Sequence, residues 1–261
     1  MWNGTMLSGV ALGLFLAGPL AGQDRIDWSG ALDRGDELEI RGISGDVRAT
    51  FVAGNTARVE ATKTGRDSDF DDVRILVDED RGGVTICAVY GDEDRESCHD
   101  DGHRHGDGHR NIRVSVDFVV QVPAGVTFRP SIVSGDIDAD GLHSDIFANT
   151  VSGSIRVSTE GIVEARTVSG SIDADMGARD IPNLEFQTVS GDITLFLRAD
   201  ADVDVRVSTL SGAFSSELPL EITRRRDRFV GSTVRGRLGD GGAILRFETV
   251  SGDIDLRERR E

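Results

Sequence analysis

Residues 184–197 read Leu-Glu-Phe-Gln-Thr-Val-Ser-Gly-Asp-Ile-Thr-Leu-Phe-Leu. Leu184, Phe186 and Thr188 fall on one alternation, and Ile193, Leu195 and Leu197 on another. Period-two alternation marks strands with one buried face. The two alternations are out of phase by one residue, and such a slip would swap the faces of a straight strand. The chain must therefore bend between Thr188 and Ile193, where Gly191 supplies a permissive backbone.

The same bend is written seven times: ISGDV at 43–47, VSGDI at 133–137, VSGSI at 151–155 and 168–172, VSGDI at 189–193, LSGAF at 210–214 and VSGDI at 250–254. From Ser134 through Ser152, Ser169, Ser190 and Ser211 to Ser251 the intervals are 18, 17, 21, 21 and 40. The last interval is twice twenty, with a degenerate copy, Val230-Gly231-Ser232-Thr233-Val234, near its midpoint. Thr150, Thr167, Thr188, Thr209 and Thr249 precede the pentads. The glycines of the six later copies are Gly135, Gly153, Gly170, Gly191, Gly212 and Gly252.

A strand, a corner and a strand every twenty residues or so is one coil of a β-solenoid, an all-β fold. One coil cannot bury its apolar face alone; stacking copies ~4.8 Å apart pairs their backbones and builds a continuous core. Equivalent residues then form columns, Val over Val, Ile over Ile, Thr over Thr and Ser over Ser, and hydroxyl columns help fix register. A β-sandwich is the rival, but it does not require one pentad repeated in one phase. Ahead of the repeats, Leu38, Ile40, Ile43, Gly45, Val47 and Ala49 match the pattern once. Strand-like runs follow at 57–62, 73–77, 84–90 and 112–122, and Pro123 and Gly125 turn the chain into the first full repeat. This gives residues 23–125 as a β-sheet lead-in that caps the solenoid and shares its core, and 126–261 as the repeat solenoid. The charged C-terminal RERRE is expected to discourage stacking of one molecule end to end on another.

Composition narrows the function. The chain has 261 residues with 29 basic and 46 acidic side chains, a net charge of −17. Nucleic acid is excluded as a partner, since such binding neutralises phosphate with basic residues. Docking on anionic lipid is disfavoured as well, and a neutral or cationic partner fits better. Apart from Lys63 every basic residue is Arg, which reads as a bias of composition. Residues 1–22 read as a signal peptide: an apolar Met6–Leu16 stretch too short to span a bilayer, then small residues at Ala17, Gly18, Ala21 and Gly22, although without Lys or Arg near the start. No other run reaches membrane-spanning length, so the mature chain is expected outside the cytoplasm, in the periplasm or at the cell surface. In that oxidising compartment Cys87, in the strand-like GVTICAVY, and Cys98, just beyond it, are expected to pair; the alternative is one buried and one exposed thiol.

The Thr-Val-Ser-Gly-Asp-Ile repeats, the export signal, the ICAVY strand with a second Cys nearby and the VQVPAGV turn together resemble the bacterial "putative adhesin" family, a domain of unknown function. The resemblance spans roughly residues 35–257. It implies an envelope or surface role and carries no catalytic residues to transfer. Some members resemble envelope-stress sensors joined to other modules, which makes a sensing domain the alternative function.

Candidate chemistry is sparse. Residues 91–110 hold His99, His103, His105 and His109 among Asp100, Asp101 and Asp107 on a Gly-rich loop, a set that could wrap Zn²⁺, Cu²⁺ or Ni²⁺ or simply be solvated. Asp136-x-Asp138-x-Asp140-Gly141 begins like a calcium loop, but Phe147 stands where the closing Glu belongs. With Asp173, Asp175, Asp253 and Asp255 these carboxylates read as an acidic outer stripe. The pentad serines have no G-x-S-x-G setting and no neighbouring His, so they read as a structural column and not as nucleophiles. A carbohydrate-active β-helix enzyme remains the less favoured alternative, resting on fold analogy. The expectation is a non-catalytic binding or scaffold protein without a cofactor, whose partner is an envelope or extracellular polymer, or a protein.

Overall fold

The computed structural model describes residues 25–91, 96–98, 112–227 and 231–259. The expected signal peptide lies outside them. The chain runs through β1 (Arg25–Ala31), β2 (Glu37–Ser44), β3 (Val47–Val52), β4 (Thr56–Gly65), a 3₁₀ turn at Asp67–Asp72, β5 (Val73–Asp80), β6 (Gly83–Tyr90) and β7 (Val114–Pro123). Paired strands follow, one on each side of a pentad corner: β8 (Thr127–Ser134) with β9 (Ile137–Leu142), β10 (Ile146–Ser152) with β11 (Ile155–Thr159), β12 (Val163–Arg166) with β13 (Ile172–Met176), and β14 (Leu184–Gln187) with β15 (Ile193–Leu197). Then come β16 (Val203–Ser211) with β17 (Phe214–Ser216), the strands β18 (Glu221–Asp227) and β19 (Ser232–Leu238), and finally β20 (Ala243–Ser251) with β21 (Ile254–Glu258).

Among the described residues these strands form two sheets, as the solenoid reading requires. The first is ordered β1-β4-β7-β3-β9-β11-β13-β15-β21-β17 and the second β18-β19-β16-β20-β14-β12-β10-β8-β2-β6-β5. Each coil gives one strand to each sheet, and neighbouring coils pair in parallel with equivalent residues in register. Ser44 lies opposite Ser134, Ser134 opposite Ser152, and Ser152, Ser169, Ser190 and Ser251 follow in turn, with Ser211 last. The pentad at 43–47 is thus a coil of the same stack, and both sheets continue past residue 125 without a break. Antiparallel strands finish the ends. β4 and β1 extend the first sheet beyond β7, and β5 the second beyond β6. At the far end β19 and β18 cover the outer edge of β16.

The order of coils in space differs from their order in sequence. β20 lies between β14 and β16, and β21 between β15 and β17, so the last coil of the chain is inserted beneath the one before it. This corrects two expectations. The segment around 230–234 is no degenerate coil, because β19 runs antiparallel to β16. Nor does the C-terminal RERRE protect a stack end: Arg257 and Glu258 sit in β21, flanked by β15 and β17.

Between the sheets lies one apolar core. The fifth pentad residue forms a buried column of Val47, Ile137, Ile155, Ile172, Ile193, Ile254 and Phe214, with Phe128, Phe186 and Phe247 on the facing strands. Phe186 and Phe247 stack with centroids 5.3 Å apart. The first pentad residue behaves differently. Val133, Val151 and Val168 are each 47% exposed, and Ile43, Val189, Val250 and Leu210 are exposed as well. The Val column therefore lies outside the core. The preceding threonine takes the inward position, and the phase slip that makes the corner turns the aliphatic side chain out to solvent.

Candidate functional site

The repeated corner is the feature most fully specified by the sequence, and its hydrogen bonds account for the preceding threonine and for the fourth pentad residue. The threonine before the pentad is buried and donates to the pentad glycine carbonyl of the adjacent coil: Thr150 to Gly135 at 3.3 Å, Thr167 to Gly153 and Thr188 to Gly170 at 3.0 Å. Thr249 and Thr209 do the same to Gly191 and Gly252, both at 3.3 Å. At the fourth pentad position an Asp or Ser side chain accepts from the backbone N–H of the equivalent residue one coil along. Asp46 Oδ1 accepts from Asp136 N at 3.0 Å, Asp136 Oδ1 from Ser154 N at 2.7 Å, and Ser154 Oγ from Ser171 N at 3.4 Å. Ser171 Oγ accepts from Asp192 N at 3.2 Å, Asp192 Oδ1 from Asp253 N and Asp253 Oδ1 from Ala213 N, both at 2.8 Å. Asp117 starts this ladder by accepting from Asp46 N at 2.9 Å.

Asp136 is therefore a structural acceptor and not half of a calcium loop. Its neighbours are also engaged: Asp138 lies 3.5 Å from Arg156 Nη1, and Asp140 Oδ1 accepts from Ser158 Oγ at 2.8 Å. Among the described residues no group of three or more His, Cys, Asp or Glu side chains is placed to hold a metal. His99, His103, His105 and His109 lie outside the described residues. Cys87 and Cys98 form the expected disulfide. It packs with Val89 and Leu76 in a small apolar cluster. Asp78 tethers the same segment by accepting from Ser97 Oγ at 2.8 Å and Cys98 N at 2.6 Å.

The outer face of the first sheet is long and polar. Across seven parallel strands one row of register positions holds Arg48, Asp138, Arg156, Asp173, Thr194, Asp255 and Ser215. The acidic stripe expected from sequence is thus interrupted by arginines, because residues two apart on one strand share a face while the neighbour on the next coil can carry the opposite charge. Arg156 lies within 3.8 Å of Asp136 as well as near Asp138. Sequence reasoning missed the exposed aliphatic column, although the phase slip at Val189 was its signal.

One group of titrating residues joins non-adjacent coils. Arg259 donates to Glu160 at 2.7 Å, which holds the Glu160 carboxyl below its usual range. The Arg259 Nε also lies 2.7 Å from Asp175 Oδ1, but off the angle a hydrogen bond needs. Burial then dominates at Asp175 and raises its pKa despite the nearby cation. Burial likewise pushes the Tyr90 hydroxyl up to about 12, against its hydrogen bond to the Ser44 carbonyl.

Among the described residues no helix is long and apolar enough to cross a membrane. No curated protein matches the chain. Of solved structures, the chain is similar to a "putative cell adhesion protein" from Clostridium sporogenes ATCC 15579, at 9% identity and a TM-score of 0.42, covering 90% of this chain and 100% of that one. It is also similar to a "putative adhesin" from Bacteroides fragilis NCTC 9343, at 12% identity and a TM-score of 0.40, covering 89% of this chain and 97% of that one. The paired sheets of stacked coils have their counterpart in a family that spans almost the whole sequence: residues 24–257 match the Toastrack DUF4097 model, and the chain belongs to that family.

Proposed function

We propose that the chain is exported, loses residues 1–22, and serves the cell envelope as a non-catalytic binding or scaffold domain whose partner is an extended polymer or a protein. The observation that carries this reading is the outer row of the first sheet, where charged and hydroxyl side chains recur at one register position on seven parallel strands. Strand neighbours are ~4.8 Å apart, so a linear partner meets the same kind of contact many times, each weak and together strong. A single row of recurring side chains favours avidity over the convergent nucleophile, base and oxyanion donor that a reaction needs.

Immobilised mature protein is expected to retain envelope polysaccharide or a cationic envelope protein in a salt-sensitive manner, without releasing reducing ends or unsaturated products. Replacing Asp138, Asp173 and Asp255 together by Asn should weaken retention of a cationic partner and leave the melting temperature within a few degrees, since exposed ion pairs contribute little to stability. Glycan cleavage that disappears when one Asp pair is mutated would replace this reading with a carbohydrate-active enzyme.

A further inference from the structure

The arginines were read from sequence as a bias of composition; their placement says more. On the outer face of the second sheet Arg224 lies opposite Arg235, Arg235 opposite Arg206, and Arg206 opposite Arg246. Four guanidinium groups thus stand in one row across four adjacent strands. Like charges directly opposite weaken strand pairing, and a local rule broken in this way marks a functional position more often than a structural one. Only the Arg246 end is neutralised, by Glu248 at 3.4 Å and Glu185 at 3.9 Å. Among the described residues Arg206, Arg224, Arg226 and Arg235 form no ion pair.

The next register row holds Arg226, Thr233, Ser208 and Glu248. Beyond it the corner presents Leu210, Val250 and Val189. Parts of these rows line a cleft of about 520 Å³: three guanidinium groups, of Arg224, Arg226 and Arg235, one carboxylate, of Glu248, the hydroxyls of Ser208 and Thr233, and the aliphatic side chains of Val189, Leu210 and Val250. The aliphatic side does not stop at the cleft. It is the end of the exposed column that continues through Val168, Val151 and Val133 to Ile43. Six steps of ~4.8 Å make this apolar line ~29 Å long.

We infer that the cleft binds the anionic head of a single-chain amphiphile, whose acyl chain lies along Val250, Val189 and Val168. Guanidinium forks match the paired oxygens of a carboxylate or phosphate. The column removes acyl surface from water along a direction that starts at the charged cleft. A membrane surface or a nucleic acid is disfavoured as the occupant, because the acidic remainder of the molecule repels a polyanion. A single-chain amphiphile brings one head group and no such surface.

The test is calorimetric titration of the mature protein with dodecyl phosphate below its micelle concentration, beside inorganic phosphate and the uncharged dodecyl maltoside. Dodecyl phosphate should bind at least tenfold more tightly than either. Val250→Ser should weaken dodecyl phosphate several-fold and leave inorganic phosphate unchanged. Arg235→Thr, which removes the middle of the like-charged row, should weaken dodecyl phosphate tenfold or more while raising the melting temperature. Arg226→Gln, outside the row, should weaken binding several-fold with no change in melting. Equal affinity for dodecyl maltoside would remove the arginines from the site, and equal affinity for inorganic phosphate would remove the column. An Arg235→Thr protein that melts lower and binds as before would make the row structural and overturn the inference.

Discussion

The glycine and the fourth residue of the pentad are each held to their identity by the coil next to them. Gly170 has φ of +149°, and a Cβ built on it would sit on the carbonyl of Gly153. Gly54 also has a positive φ, +95°, but a Cβ there meets nothing within 4 Å. The pair separates backbone strain from close approach. Gly54→Ala should cost about 1–2 kcal/mol for the left-handed backbone alone. Gly170→Ala adds overpacking to that strain, for a loss of about 2–5 kcal/mol. Chemical denaturation of the two variants decides the matter, and equal losses would show that the neighbouring carbonyl is not what selects glycine. The need for a permissive glycine was legible in the sequence, because the phase slip demanded a bend. The reason for Asp or Ser after it was not, since the N–H that each side chain accepts belongs to another coil. The ladder also accounts for LSGAF: Ala213 has no acceptor side chain, and among the described residues its coil is the last in the stack, with no parallel coil beyond it to supply an N–H.

Between elements, the same logic ties the C-terminal segment to coils far away in sequence. Arg259 follows β21, yet it pairs with Glu160 after β11 and lies against Asp175 in β13. Its backbone N–H also donates to the Leu197 carbonyl at 2.8 Å. The two carboxylates respond to acid in opposite directions. Glu160 is depressed below its ordinary 4.5 by Arg259, so its contribution to stability is complete above pH 4.5 and is lost as pH falls through the depressed value. Asp175 is raised above its ordinary 3.8 by burial. Its titration favours the folded state below pH 3.8, an advantage lost as pH rises through the raised value. Removing each group should therefore change the acid limb of the stability profile in opposite senses. Glu160→Gln should flatten the fall in melting temperature below pH 4.5, and Asp175→Asn should steepen it. Identical slopes in the three proteins, measured from pH 6 down to pH 3, would show that the clamp does not titrate with folding. From sequence, RERRE looked like a charged end that repels other molecules. Nothing local reveals that one of its arginines is a clamp, because the partners lie roughly 85 and 100 residues upstream.

At the scale of the whole molecule, the repeat revealed the architecture but concealed the order of assembly. Any two of the last five pentads can stack, since each offers the same threonine, glycine carbonyl and buried apolar fifth residue. A parallel stack therefore reads the same whether coils follow sequence order or not. The interval of 40 between Ser211 and Ser251 suggested a missing coil; it holds instead the β18–β19 cap, after which the chain returns to insert β20 and β21. This insertion has a kinetic consequence. Before β20 and β21 are in place, the edge of β14–β15 is open, and β16–β17 carries a matching corner. In that arrangement Thr209 would reach the Gly191 carbonyl, and Asp192 would accept the Ala213 N–H, in the positions that Thr249 and Asp253 take in the native stack. Docking of β16 on β14 is thus a non-native pairing built from native interactions, and it must reopen before the last coil can enter. We expect refolding of the disulfide-intact mature protein to show a slow phase that reports this reopening. A chain ending at Gly242 lacks the competing coil, so it should refold without that phase and keep residues 203–238 protected from limited proteolysis by closing the gap. A full-length protein that refolds in one phase at the rate of the shortened chain, or a shortened chain cleaved throughout 203–238, would show that the sixth coil waits for the seventh and does not dock in its place.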